Sequence, residues 1–108
     1  MTTITVYKKD GKIKGFDCIG HAEYDVIQKD IVCSAISILV INTINSIEKF
    51  TKDPCNITQS QPEGKICCHL NDNVSEQSNL LLNAMVLGLT EIKKQYGKKY
   101  IDVKYEEV

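Results

Sequence analysis

Twenty consecutive positions, Ile31 to Phe50 (IVCSAISILVINTINSIEKF), carry only two charged residues, Glu48 and Lys49. The stretch is rich in β-branched residues but far too long for one strand. Ile31, Ala35 and Ile38, and in parallel Val32, Ile36 and Leu39, recur at helical intervals, so the segment predicts a long helix. Asp30, directly ahead of it, is the natural N-cap. Over its first three turns the helix is apolar almost all round, more than one sheet can cover. Either a second helix or a second copy of the chain, in a two-fold dimer, must take the surplus. The unbroken apolar runs stay well short of the about 20 residues needed to cross a bilayer, so no membrane span is expected.

The remaining elements arrange themselves around this helix. Thr3–Lys8 alternates apolar and polar residues, Asp10-Gly11 is a turn signal, and Ile13–Ile19 is again extended, which makes a hairpin. His21–Lys29 has neither period and is expected to be a loop. After Pro54 come an extended run Cys55–Gln59, a turn at Gln61-Pro62-Glu63-Gly64 and a return run Lys65–Leu70. Asn73 and Glu76 have the spacing of a capping box ahead of a second helix that carries Leu80, Leu81, Ala84, Leu87 and Ile92 and stops at Gly97. Tyr100–Glu106 alternates as a strand with one wet face. The order ββαββαβ predicts one α/β domain over residues 1–108 (α+β in the finer division), a two-layer sandwich with both helices on one face of a five-stranded mixed sheet.

Composition narrows the function. With 13 basic and 14 acidic residues the net charge is -1, so the positive field of a non-specific nucleic-acid binder is missing. The chain has no Arg, the residue best suited to bidentate phosphate and guanine recognition. Direct nucleic-acid binding is therefore not expected. The opening MTTITVYKKD lacks the layout of a signal peptide, and five cysteines (18, 33, 55, 67 and 68) do not pair into a secreted framework. A cytoplasmic protein with reduced thiols is the expectation.

Among those thiols Cys33 stands out, because a helix starting after Asp30 would hold it in the first turn, where unpaired amides and the helix dipole favour a thiolate. His21, at the end of the second strand, could take the thiol proton and return it to a leaving amine. The same amides could hold an oxyanion. Ser37 lies one turn beyond Cys33, on its face, and could orient the dyad or line the substrate groove. Asp30 either caps the helix or orients His21.

The string GHAEYDVIQKDIVCSAIS, Gly20 to Ser37, resembles the signature of the ribosomal-processing cysteine proteases, the Prp family: Gly-His-Ala, a variable loop, Asp-Ile-Val-Cys, and a Ser four residues on. The second helix segment and the closing strand are similar as well. The resemblance implies a small, dimeric bacterial endopeptidase that removes an N-terminal extension from large-subunit ribosomal protein twenty-seven. It implies His21 as general base, Cys33 as nucleophile, Asp30 and Ser37 as supporting residues, and Gly20 as the residue that sets the backbone beside the His. The loop Ala22–Lys29 would close over substrate, with Ala22 and Tyr24 among the residues that meet it, and neither metal nor organic cofactor is implied. Gln28 and Asp25 stand where the family usually has Gly and Ala, which puts the family's loop closure and substrate preference in doubt here.

Two other readings compete. Cys18 with His21, and Cys67, Cys68 and His69, offer ligand types for a small zinc domain, although on a strand Cys67 and His69 share one face and Cys68 takes the other. Cys68 then reads as core filler, Cys67 and His69 as a part-exposed pair, Cys18 as a packed strand residue and Cys55 as a strand start. A non-enzymatic, dimeric, ribosome-associated interaction module would use the apolar helix for association alone.

Overall fold

The computed structural model describes residues 1–20, 27–60 and 64–108, with residues 27–30 described through their helical backbone. Its elements are β1 (Thr2–Lys9), β2 (Lys12–Gly20), α1 (Ile27–Phe50), β3 (Cys55–Ser60), β4 (Lys65–Leu70), α2 (Glu76–Tyr96) and β5 (Ile101–Glu107). The strands form one sheet in the order β3-β4-β2-β1-β5, antiparallel throughout except for the parallel pair β1 and β5. The expected order and the mixed five-stranded sheet are both present. The β1–β2 hairpin closes through Asp10 and Gly11, both at positive φ (53° and 80°), the geometry that suits the twist of a two-residue hairpin.

Alternation along the strands decides what each sheet face does. Ile4, Val6, Phe16, Cys18, Cys68, Leu70 and Ile101 point to one side, where they meet both helices in a single hydrophobic cluster. On α1 the buried stripe is Val32, Ile36, Val40, Ile44 and Ile47, one residue per turn; on α2 it is Leu82, Met85, Val86 and Leu89. Each such side chain contributes about 1.5–3 kcal/mol by leaving water. The helices also pack on each other through Leu39 and Gly88, where a Cβ on the glycine would come within 2.6 Å of Leu39 Cδ2. The surplus of apolar surface on α1 is real: Ile38 is 70% exposed, with Ile31 and Ile41 also open.

Three expectations need correction. First, α1 begins at Ile27, so Asp30 is not the N-cap and Cys33 is the seventh residue of the helix rather than part of its first turn. Ile27 stands four residues ahead of Ile31 with no Pro or Gly between them, so the apolar period runs a turn further upstream than the cap-like Asp suggests. Second, the cap of α2 is Ser75, whose hydroxyl accepts from the Ser78 N–H at 3.1 Å; the Asn73–Glu76 capping box is not used. Third, Ile31–Phe50 is, by length and composition, apolar enough to cross a membrane despite its Ser, Thr and Asn residues. Its unbroken runs understated this, and here the buried stripe of α1 faces α2 and the sheet.

Candidate active site

Helix α1 sets Cys33 and Ser37 one turn apart. Cys33 sits between the buried Val32 and the outward Ser34, is itself half-buried, and so lies at the margin of the core stripe. Its position inside the helix changes what its backbone can do. The N–H groups of an interior turn bond to carbonyls four residues back, and the dipole's influence fades beyond the first turn. The amides around Cys33 are therefore committed, and neither thiolate stabilisation nor an oxyanion hole can be drawn from a free helix end there.

The end of β2 is tied to the segment that enters β4. The Gly20 N–H donates to the Gly64 carbonyl at 3.2 Å, which ties the last residue of β2 to the turn between β3 and β4. Gly64 lines a cavity of about 260 Å³ together with Ser37, Ile41, Gln59, Ser60, Lys65 and Ile66. The helix turn that follows Cys33 lines this cavity through Ser37, and the strand terminus that leads into His21 is bonded to its wall at Gly64; the space is of a size for a side chain rather than a bulky cofactor. Of the sequence-predicted residues, Ser37 lines this cavity, Cys33 stands one turn before it on α1, and Gly20 is bonded to its wall at Gly64. His21, Ala22 and Tyr24 lie outside the described residues, as does Asp25, and Asp30 and Gln28 are placed only as backbone within α1 and at its start.

A second group of reactive types occupies the sheet face away from the helices. The Tyr7 hydroxyl donates to Asp17 Oδ2 at 2.6 Å, His69 Nε2 lies 2.9 Å from Asp17 Oδ1, and the Tyr7 and His69 rings are 5.3 Å apart. Cys67 faces Asp17 across the β2–β4 pair. Although Cys, His and Asp meet here, burial and the neighbouring Asp17 carboxylate push the Cys67 thiol up to about 11, which leaves it protonated and inert. Cys67 is itself buried, rather than part-exposed as expected, while His69 remains partly open. Among the described residues no three His, Cys, Asp or Glu side chains converge in a way that could hold a metal ion. Tyr7 and Asp17 escaped the sequence reading because only the strand register, Tyr7 opposite Gly15 and Gly15 opposite His69, brings them to His69.

Cys18, Cys68 and Cys55 are raised as well. Cys18 and Cys68 are core residues as expected, raised to about 11 and about 12 respectively, in each case chiefly by burial. Cys55 begins β3, and burial raises it too. Cys33 is the thiol that combines access with a neighbouring cavity.

Comparison with known proteins follows the same direction. A family model described as cysteine protease Prp matches residues 1–102. The ribosomal processing cysteine protease Prp of Staphylococcus aureus is 25% identical over 99 residues, covering 91% of this chain and 93% of that protein. A crystal structure of the S. aureus protease with a covalently linked product peptide superposes with a TM-score of 0.87 at 25% identity, covering 98% of this chain and all of that one. A Streptococcus mutans protein shares the fold, with a TM-score of 0.89 at 22% identity over the full length of this chain and 99% of its own.

Proposed function

The chain belongs to the Prp family of ribosomal-processing cysteine proteases, and from that premise we propose that it is an endopeptidase with Cys33 as nucleophile and His21 as general base. The observation that carries the assignment is the partial accessibility of Cys33 one helical turn from Ser37, which lines a cavity whose wall at Gly64 is bonded to the end of β2, while Cys18, Cys67 and Cys68 are buried and Cys55 is raised by burial. His21 follows Gly20 directly, and Gly20 is fixed to the cavity wall at Gly64.

In the reaction, His21 takes the proton of the Cys33 thiol as Sγ attacks the scissile carbonyl carbon, giving a tetrahedral intermediate. Collapse breaks the C–N bond; the imidazolium returns its proton to the departing amine, and the N-terminal segment remains as a thioester. A water, deprotonated by His21, attacks the thioester carbonyl and releases the carboxylate product with the thiol restored. Ser37 lines the groove through which the peptide passes. Asp30, three residues ahead of Cys33 on α1 and relieved of its capping role, is assigned to orient His21. Ala22 and Tyr24 meet the substrate.

The substrate we assign is the precursor of large-subunit ribosomal protein twenty-seven, cut once near its N-terminus. The S. aureus relative, solved with a peptide product attached covalently, supports a peptide substrate for this fold. The open apolar face of α1, Ile31, Ile38 and Ile41, supports a homodimer. Incubation with the precursor should give one clean N-terminal cut by mass spectrometry, absent with Cys33→Ala. Full turnover by that variant overturns the assignment.

A further inference from the structure

We propose that Gly64 is a positioning residue for the general base, fixing the end of β2 from which His21 departs; this rests on the assignment of His21 given above. The β2–β4 ladder ends with Ile19 opposite Lys65, and the bond from the Gly20 N–H to the Gly64 carbonyl extends the attachment by one residue, up to the position before His21. Gly64 adopts φ +58°, and a Cβ built on it would stand 2.3 Å from the Gly20 carbonyl oxygen and 3.3 Å from its carbon. Both atoms are backbone, so the contact can be relieved only by moving Gly20 or the turn itself.

Gly20 is held on its other side as well. Across β1 it pairs with Thr2, and a Cβ on Gly20 would lie 2.7 Å from Thr2 Oγ1. Thr2 is buried and is itself held by a 3.0 Å bond from its N–H to the Tyr100 carbonyl. Gly20 is thus gripped from two sides, by a side chain on one and by a turn that must lack one on the other. Displacement of a catalytic group by about 1 Å can cost about a hundredfold in rate. Any side chain at position 64 transmits such a displacement to the backbone leading into His21.

Gly11 provides the control. It too has positive φ, +80°, but a Cβ there meets nothing within 4 Å. Gly11→Ala and Gly64→Ala therefore share the cost of a left-handed backbone, and only the second pushes on Gly20. In the full chain, with a precursor peptide as substrate, Gly11→Ala should keep kcat close to that of the parent. Gly64→Ala should lose kcat by about a hundredfold with a much smaller change in KM, and should shift the imidazole limb of the pH–rate profile. Gly64→Asn, which tolerates positive φ but keeps a Cβ, should behave as Gly64→Ala does.

If the folded Gly64 variants match Gly11→Ala in kcat and in pH profile, the positioning role is wrong. If neither variant folds, Gly64 is a structural residue and the role is equally lost. Running His21→Ala and Cys33→Ala alongside separates the two levels: turnover retained by either of these overturns the underlying assignment, whereas their inactivity with an unaffected Gly64 series overturns only the proposal made here.

Discussion

The hydroxyl of Tyr7 and the carboxylate of Asp17, on neighbouring strands, are joined by a 2.6 Å hydrogen bond on the sheet face that carries no helix. The bond acts on both groups. It is the leading cause that raises Tyr7 to about 12, with burial second. For Asp17, burial works upward, but hydrogen bonds from Cys67, Tyr7 and His69 outweigh it and hold the carboxyl below its usual range.

The pH dependence follows with opposite signs at the two extremes. A tyrosine raised in the folded state contributes stability that is complete below its unfolded value of about 10 and lost as pH rises towards about 12. The depressed Asp17 contributes stability above its unfolded value of about 3.9, lost as pH falls through the lower folded value. Urea unfolding across pH should therefore show an alkaline decline that Tyr7→Phe flattens. An alkaline limb of unchanged steepness in Tyr7→Phe would contradict this linkage.

Cys33 should be the first thiol alkylated in the native protein. Cys18, Cys67 and Cys68 are buried and raised to about 11, 11 and 12, and Cys55 is raised by burial. Timed labelling with iodoacetamide near neutral pH, read by peptide mass spectrometry, should find the adduct on Cys33 well before the others. Equal labelling of all five would remove the basis for singling it out.

At the head of α2, Asp53 Oδ2 accepts from both the Ser75 N–H (3.1 Å) and the Ser75 hydroxyl (2.6 Å), while Ser75 Oγ accepts from the Ser78 N–H. Ser75→Ala removes the cap and one carboxylate partner, and should cost about 1 kcal/mol, within the usual range of 0.5–2 for a lost cap. Denaturant titration should show a lower midpoint with an unchanged slope, and no loss of peptidase activity in the folded protein.

Ser37→Ala should slow cleavage without abolishing it and leave the melting temperature near that of the parent. The residue is exposed on α1, lines the cavity one turn from Cys33, and has no part in the buried stripe. A loss as deep as that of Cys33→Ala would instead place its hydroxyl in the chemistry.

What could be read in the sequence was whatever one segment decides alone. Alternation found all five strands, the 3.6-residue period found both helices, and Gly97, with φ 104° and its N–H on the Lys93 carbonyl, ends α2 where a glycine stop was expected. Helix starts were harder, because acids are as welcome in the first turn as at the cap. Asp30 has the chemistry of a cap but stands inside a helix that begins three residues earlier, and Asn73 with Glu76 has the spacing of a capping box although Ser75, whose advantage depends on Asp53 from a distant segment, holds the cap. Relationships across strands were hidden altogether. The grip of Thr2 and Gly64 on Gly20, and the meeting of Tyr7, Asp17 and His69, exist only once register is set.

The parallel partnership of β1 with β5 unites the first strand of the chain with the last. Contacts so far apart in sequence are slow to close, because the intervening polymer must be ordered before they yield any return. A nascent copy therefore presents β1 as an open edge, with unmatched donors and acceptors available to other chains, until residues 101–107 have been synthesised. Premature termination before that point leaves the edge open permanently. The seventh element thus moves the sheet's edge from the long, half-buried β1 to the charged, solvent-facing β5, a strand far less inviting to other chains.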